Sequence, residues 1–126
     1  MYIASLLSNM PNVLVVDDDA DLLEMVELVL KSHEMKVSCV NSGSKLMDSI
    51  EDRRPDIILM DIYLGDSDGR QLCFSLKNED RFRDIPVILY SAGYITLSSI
   101  RNSLADDFMV KPFDINQLVR KIREMV

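Results

Sequence analysis

The chain has 126 residues, of which 48% are hydrophobic, so it can bury the core of one globular domain without metal or disulfide crosslinks. Acidic residues outnumber basic ones by 21 to 14, and the net charge of −7 argues against direct binding to the phosphate backbone of nucleic acids. Since no stretch approaches the ~20 apolar residues that a membrane span requires, a membrane is not an expected partner either.

The first ten residues, MYIASLLSNM, lack the basic start and the small-residue cleavage site of a secretion signal. The folded pattern begins near Asn12, so we predict an N-terminal extension over residues 1–11 and one domain over residues 12–126.

Cys39 and Cys73 lie in apolar segments without metal-ligand spacing, and we interpret them as reduced packing residues. Reduced cysteines are typical of a cytoplasmic protein.

Short apolar runs alternate with amphipathic helical patterns along this domain. Runs that are rich in β-formers and lack polar alternation are typical of strands buried on both faces. The predicted strands are 13–16, 36–40, 57–60, 87–90 and 107–110. The predicted helices are 21–31, 44–53, 70–78, a weaker segment around 95–104, and 114–125. The last helix opens with a capping-box variant formed by Asp114 and Gln117.

This alternation of strands and helices predicts an α/β fold, with a doubly wound parallel sheet covered by helices on both faces. Right-handed crossovers restrict the possible topologies. In such sheets ligands bind beyond the carboxyl ends of the strands, near the point where the strand order reverses. The residues that end the strands are therefore the candidates for a functional site.

Acidic residues follow two of the predicted strands. Asp17, Asp18 and Asp19 come directly after the first strand, and Asp61 comes after the third. If the strand order is 2-1-3-4-5, these strands are neighbours and the carboxylates converge. A hard cation relieves such crowding of charge, and Mg²⁺ fits better than Ca²⁺ because it leaves positions open for a phosphate. The alternative is that the three consecutive aspartates only cap the first helix.

Polar residues at two further strand ends favour a functional site over simple helix capping. Ser91 follows the fourth strand, and Lys111 with Pro112 follows the fifth. A carboxylate nucleophile, a divalent metal, a hydroxyl donor and a cation are together the components of a phosphoryl-transfer site.

Four segments, in this order along the chain, carry a resemblance to a known family: VLVVDDD, PDIILMDIYLGDSDG, VILYSA and DDFMVKPF. Over residues 12–126 the sequence resembles the receiver domains of bacterial two-component response regulators. The family has a flavodoxin-like receiver fold, with five parallel strands in the order 2-1-3-4-5. The resemblance implies that Asp61 accepts a phosphoryl group. It also implies that Asp17, Asp18, Asp61 and the backbone carbonyl of Tyr63 hold Mg²⁺.

The resemblance implies further roles near the fourth and fifth strands. Ser91 and Lys111 would each contact a phosphoryl oxygen. Ser91 and Phe108 would form the switch that responds to phosphorylation, and the peptide bond between Lys111 and Pro112 would be cis.

Two positions depart from the family pattern. Gly65 stands where a proline is common, and Leu104 stands where a glycine is common. We expect Gly65 to loosen the loop after Asp61, because a proline would fix one backbone dihedral there. The second departure affects the surface of helix 4 and supplies no chemical group to the site.

The same resemblance implies partners and a type of activity. The phosphoryl group would come from phosphohistidine on a sensor histidine kinase or a histidine phosphotransfer protein. Phosphorylation would alter the face formed by helix 4, strand 5 and helix 5, which would bind an unidentified downstream protein. The chain would be a signalling switch and not an enzyme in the usual sense, although it would promote its own phosphorylation and dephosphorylation.

Other functions match parts of the pattern. Asp17 and Asp19 could be the nucleophile and the acid/base of a haloacid-dehalogenase-like phosphatase, but Asp21 stands where that family has Thr or Val. A receiver-like module that signals without phosphate is opposed by the complete set of phosphoryl-site residues. A calcium-binding EF-hand loop at residues 66–69 lacks the remaining ligand positions.

Overall fold

The computed structural model of the chain describes residues 10–126, in which five β-strands alternate with five α-helices. The predicted extension over residues 1–11, and the assessment of its sequence as a secretion signal, lie almost entirely outside the described residues. The strands are β1 (Asn12–Val16), β2 (Lys36–Val40), β3 (Ile57–Asp61), β4 (Val87–Ser91) and β5 (Asp107–Val110). The helices are α1 (Ala20–Ser32), α2 (Leu46–Asp52), α3 (Gly69–Lys77), α4 (Leu97–Ser103) and α5 (Ile115–Met125), with a 3-10 helix at Gly43–Lys45.

All neighbouring strands pair in parallel, in the order β2-β1-β3-β4-β5. This confirms the predicted doubly wound sheet. The chain order reverses between β1 and β3, so the carboxyl ends of these two strands flank the switch point at which such sheets bind ligands.

Apolar side chains form one cluster on each face of the sheet. Val13 and Val15 of β1 point toward α1 and α5, whereas Leu14 and Val16 point toward α2 and α3. Each fully buried aliphatic side chain of this kind contributes ~1.5–3 kcal/mol relative to leaving it in water. Because both faces are covered, the strands appear in the sequence as uninterrupted apolar runs.

Helix α1 ends in a Schellman motif. The amide of Met35 donates to the carbonyl of Leu30, and the amide of Glu34 donates to the carbonyl of Lys31. Glu34 has a φ of +64°, the left-handed conformation that such a motif requires and that glycine adopts most easily. This turn brings the chain back into β2.

The second predicted helix differs from the structure. The sequence pattern predicts one helix over residues 44–53, but the segment begins with the 3-10 turn, and α2 starts only at Leu46. The carboxylate of Asp66 accepts hydrogen bonds from the amides of Gly43 (3.0 Å) and Ser44 (3.2 Å), which satisfies donors at the start of this segment. A contact between residues so distant in sequence is not visible in a local pattern.

Helix α4 is shorter than the predicted segment 95–104. The side chain of Thr96 accepts a hydrogen bond from the amide of Ser99 and fixes the helix start. Leu104 ends the helix with a φ of +65°. Leu104 therefore takes the left-handed conformation that the family's common glycine would take with less strain.

Both cysteines are free, as the packing interpretation predicts. Burial raises the pKa of the Cys73 thiol to about 12 and that of the Cys39 thiol, which also lies beside Glu27, to about 11. Such thiols are weak nucleophiles at neutral pH.

Within residues 10–126, no helix has the length and apolar character needed to cross a bilayer.

Candidate functional site

The carboxyl ends of four strands lie side by side at one edge of the sheet. Val16 pairs with Met60, Asp61 pairs with Tyr90, and Ser91 pairs with Val110. The residues that end or directly follow β1, β3, β4 and β5 are therefore neighbours in space. They include the predicted site residues Asp17, Asp18, Asp61, Ser91 and Lys111.

Three carboxylates converge at this edge. Asp17, Asp18 and Asp61 each place one oxygen within 4.8 Å of the others. Asp17 and Asp61 are buried, and Asp18 is exposed. A donor set made only of carboxylate oxygens suits a hard cation, and one exposed member leaves the ion open to solvent. The cluster could therefore hold a metal ion, as the spacing of the aspartates predicts.

Asp19 does not belong to this cluster. Its carboxylate accepts hydrogen bonds from the amides of Asp21 (3.1 Å) and Leu22 (3.2 Å) and caps α1. The aspartate run thus serves both of the purposes considered from the sequence, since Asp19 caps the helix and Asp17 and Asp18 lie at the site. The haloacid-dehalogenase-like alternative would need Asp19 as an acid/base at the site, and the structure instead uses one oxygen of Asp19 to cap the helix.

Lys111 bridges the two buried carboxylates. Its Nζ donates to Oδ2 of Asp61 at 2.8 Å and to Oδ2 of Asp17 at 3.2 Å. Burial lowers the pKa of Lys111, but hydrogen bonds to Asp61 and Asp17 outweigh that effect and raise its pKa overall. The ammonium is therefore charged at neutral pH. The Lys111–Pro112 peptide bond is cis, as predicted.

Asp61 is held in a desolvated position. Burial raises its pKa, although the hydrogen bonds from Lys111 and from the amide of Tyr63 (3.0 Å) act in the opposite direction. The backbone of Tyr63 thus touches the carboxylate, while the role of the Tyr63 carbonyl as a metal ligand stays a prediction.

Ser91 and Gly93 lie at the carboxyl end of β4, between the ends of β3 and β5. Ser91 is fully buried, and its Oγ accepts a hydrogen bond from the amide of Gly93 at 3.1 Å. A Cβ added to Gly93 would lie 3.5 Å from Cε2 of Tyr63, so the Tyr63 ring reaches across to this segment. The guanidinium of Arg70 lies 5.9 Å from the centre of the same ring and is paired with Asp68 at 2.7 Å.

Phe108 lies on the same face of the sheet as Ser91. It pairs with Leu89, two residues before Ser91, and side chains two residues apart in a strand point the same way. Phe108 is half-buried against the cluster that contains Leu89. The structure therefore places the two predicted switch residues on one face of neighbouring strands.

The loop after Asp61 follows a path that a proline could not take. Gly65 has a φ of +80°, whereas proline is restricted to about −65°. A Cβ at this position would also lie 3.3 Å from Oδ2 of Asp18. Hydrogen bonds from Gly43 and Ser44 to Asp66 connect this loop to the 3-10 helix, while the looser loop that Gly65 predicts stays a prediction.

Tyr90 is a site residue that is absent from the set predicted from the sequence. Its hydroxyl donates to Oδ2 of Asp17 at 2.9 Å, and its side chain is almost completely buried. Burial raises the pKa of the phenol far above its usual value, so the hydroxyl stays a donor. A signal was available, because a tyrosine near the end of a fully buried strand needs a partner for its hydroxyl, and strand ends here meet carboxylates.

Comparisons with known proteins agree on one family. A family model described as "Response regulator receiver domain" matches residues 13–123. The chain is 31% identical over 113 residues to the DNA-binding response regulator MtrA of Mycolicibacterium paratuberculosis, covering 88% of this chain and 49% of that protein. It is 33% identical over 119 residues to the heme response regulator HssR of Staphylococcus epidermidis, covering 93% of this chain and 52% of that protein. The chain thus spans about half the length of these relatives.

Solved structures show the same similarity. The signal receiver domain of a signal transduction histidine kinase from Syntrophus aciditrophicus is 28% identical, with a TM-score of 0.82 and coverage of 91% of this chain and 89% of that one. The chemotaxis response regulator CheY4 of Vibrio cholerae is 19% identical, with a TM-score of 0.85 and coverage of 94% and 100%. At that identity the second match supports the fold alone.

Proposed function

The chain belongs to the response regulator receiver domain family, whose members are phosphoacceptor switches of two-component systems, and we propose that Asp61 is its phosphoacceptor and Mg²⁺ its cofactor. The observation that carries the assignment is the bridge from Lys111 to Asp61 and Asp17, with Asp18 beside them. Other buried acidic clusters able to hold a metal were not found among the described residues.

The Asp61 carboxylate is the proposed nucleophile. One of its oxygens bonds to phosphorus while the bond from phosphorus to the donor's histidine nitrogen breaks, and the electron pair of that bond stays on the nitrogen. The product is an acyl phosphate on Asp61. Lys111, 2.8 Å from Oδ2 of Asp61, is placed to neutralise negative charge on the transferring group.

Asp17, Asp18 and Asp61, with the Tyr63 carbonyl, are the proposed ligands of Mg²⁺, directly or through water. The bound ion supplies charge neutralisation and orientation of the phosphoryl oxygens. The donor chemistry fits, because all three side chains offer hard oxygen ligands within 4.8 Å of one another.

The proposed switch runs through Ser91 and Phe108. A phosphoryl group on Asp61 attracts the Ser91 hydroxyl, which leaves space for Phe108 on the shared face of β4 and β5. The face formed by α4, β5 and α5 then changes its preference for partners, as a population shift between two packings. The exposed side chains of Leu97, Leu104 and Val110 give this face an apolar contact surface.

The proposed donors are a sensor histidine kinase or a histidine phosphotransfer protein, and response regulators in general are phosphorylated by histidine kinases. A cytoplasmic location, and the lack of enzymatic turnover in the usual sense, remain predictions.

The sequence predicts that nucleic acid is not a partner, but MtrA and related proteins are named as DNA-binding regulators. That prediction is therefore not supported for a whole regulator. The acidic charge of this chain argues only that the receiver itself is not the DNA-binding surface.

The test is intact-mass spectrometry after incubation with acetyl phosphate and Mg²⁺. The wild-type chain should gain one phosphoryl group, and Asp61→Asn should gain none, because the amide cannot form an acyl phosphate. Equal labelling of both proteins would assign the phosphoacceptor to another residue. Turnover of a small phosphate ester by the wild-type chain would instead favour a phosphatase.

A further inference from the structure

We propose that the Tyr90 hydroxyl is a positioning group for metal binding, which holds the carboxylate of Asp17 in the orientation that the ion needs. This inference rests on the proposed function, since it assigns Asp17 to the metal site. It adds a residue on β4 that lies beside Asp61 in the sheet register and that is not one of the proposed ligands of the metal or of the phosphoryl group.

Asp17 is surrounded by donors from the protein. Its side chain is fully buried, so each oxygen depends on protein donors to replace water. Oδ1 accepts from the amide of Asp19 at 2.9 Å. Oδ2 accepts from the hydroxyl of Tyr90 at 2.9 Å and from Nζ of Lys111 at 3.2 Å. The phenol is therefore the closer of two donors on this oxygen.

The two donors differ in mobility. Lys111 ends a flexible four-carbon chain and also contacts Asp61 at 2.8 Å. Tyr90 has two side-chain torsions, is 2% exposed, and packs edge-on against Phe113 with ring centres 5.3 Å apart. The phenol is thus a fixed donor, whereas the ammonium is shared between two carboxylates.

This difference already matters in the unphosphorylated protein, because Lys111 is shared with Asp61, and it grows when a phosphoryl group arrives on Asp61. In the proposed mechanism the Lys111 ammonium moves toward a phosphoryl oxygen. Of the two donors to Oδ2 of Asp17, only the Tyr90 hydroxyl then remains. A neutral phenol can hold the carboxylate without neutralising its charge, so the oxygen atoms of Asp17 stay oriented and remain attractive to a cation. Hydrogen-bond partners of metal ligands act in this way, and their loss typically weakens metal binding by ~10–100-fold.

The test is a magnesium titration of the unphosphorylated protein, followed by the amide NMR shifts of residues 17–19. Tyr90→Phe keeps the ring and removes only the hydroxyl, and we expect the dissociation constant for Mg²⁺ to rise by about 10-fold. Tyr94→Phe is the matched control, because that ring is 90% exposed, and its dissociation constant should equal that of wild type. A value for Tyr90→Phe within a factor of about two of wild type would overturn the proposal.

A second readout separates positioning from general stability. The rate of labelling by acetyl phosphate in Tyr90→Phe should need more Mg²⁺ to reach half its maximum and should approach the wild-type rate at saturation. A lower maximum with an unchanged magnesium midpoint would show a purely structural role and overturn the proposal. If the wild-type protein is not labelled at all, the proposed function is wrong. If the wild-type protein is labelled but Tyr90→Phe binds Mg²⁺ normally, only the inference about Tyr90 is wrong.

A wild-type measurement covers the case in which Tyr90→Phe does not fold. With ¹³C at the Cζ of tyrosine, the Tyr90 resonance should move on addition of Mg²⁺ in step with the Asp17 amide, and the Tyr94 resonance should not. A stationary Tyr90 resonance would contradict the proposal.

Discussion

Asp17, Asp18 and Asp19 differ in exposure and hydrogen bonding although they are consecutive in the sequence. Asp17 is buried and accepts hydrogen bonds from three donors, Asp18 is exposed at the edge of the carboxylate cluster, and Asp19 caps α1. Successive residues leave a strand end in different directions, so one acidic run can supply a buried ligand, an open ligand and a helix cap. Substitution of Asp18 should therefore change the magnesium requirement, whereas substitution of Asp19 should change the free energy of unfolding.

We expect Asp18→Ala to raise the magnesium concentration needed for half-maximal labelling by at least about 10-fold without lowering the free energy of unfolding, since it removes a ligand and a like charge. Asp19→Ala should lower the free energy of unfolding by ~1 kcal/mol and leave the magnesium requirement unchanged. Urea unfolding and labelling titrations measure the two effects. Asp19→Asn, which keeps the capping oxygen, is the control, and a changed magnesium requirement in Asp19→Ala would place Asp19 in the metal site.

Tyr63 governs access to the phosphoryl group in our interpretation. Its ring is 52% exposed, reaches toward Gly93, and lies 5.9 Å from the guanidinium of Arg70. Gly93 brings no side chain that could orient a water molecule. We therefore expect the ring to shield the side of the proposed acyl phosphate from which hydrolytic water approaches.

Tyr63→Ala should shorten the lifetime of the phosphorylated form several-fold while leaving labelling intact. The decay of phosphorylated protein in Mg²⁺, after removal of acetyl phosphate, gives this lifetime by intact mass. Tyr94→Ala, at a ring that is 90% exposed, should decay like wild type. An unchanged or slower decay in Tyr63→Ala would show that the Tyr63 ring does not shield the acyl phosphate.

At the scale of the secondary-structure elements, the end of α1 carries local strain. Glu34 has a φ of +64°, and a residue other than glycine loses roughly 1–2 kcal/mol in this conformation. The Schellman hydrogen bonds to Leu30 and Lys31 hold it there. The side chain of Glu34 is exposed, so little packing depends on it.

Glu34→Gly should raise the free energy of unfolding by about 0.5–1 kcal/mol, because relief of the left-handed strain exceeds the added entropy of the unfolded chain. Glu24→Gly, at an exposed position inside the same helix, should lower it by about 1 kcal/mol. Denaturant unfolding of both variants is the measurement. Destabilisation by both substitutions would indicate that the Glu34 side chain has a partner that outweighs its backbone strain.

At the scale of the whole molecule, the sequence allowed the sheet and most of the site to be predicted. Apolar runs mark strands buried on both faces, and the rule for strand ends gathers Asp17, Asp61, Ser91 and Lys111 without any knowledge of their distances. Strand boundaries agree within one residue for each of the five strands. These features depend on local composition and on topology, both of which a single sequence carries.

The features that could not be predicted depend on specific contacts across the fold. The hydrogen bond from Tyr90 to Asp17 joins residues 73 apart in sequence. The one from Gly43 to Asp66 joins residues 23 apart and shortens the second helix. The same hydrogen bond joins the loop that contains Gly65 to the 3-10 helix, and the absence of proline at position 65 carries no information about it. No periodicity or propensity encodes such pairings.

The strand β4 places Tyr90 and Ser91 on opposite faces of the sheet. Insertion or deletion of one residue inside this strand would turn the phenol away from Asp17 and the hydroxyl away from the phosphoryl group in a single event. A point substitution in β4 alters one side chain, but a change in the length of β4 displaces both functional side chains at once. Over evolutionary time, chain-length variation in such a protein is therefore expected to accumulate in the connections between elements, while the spacing from Pro86 to Ser91 is retained.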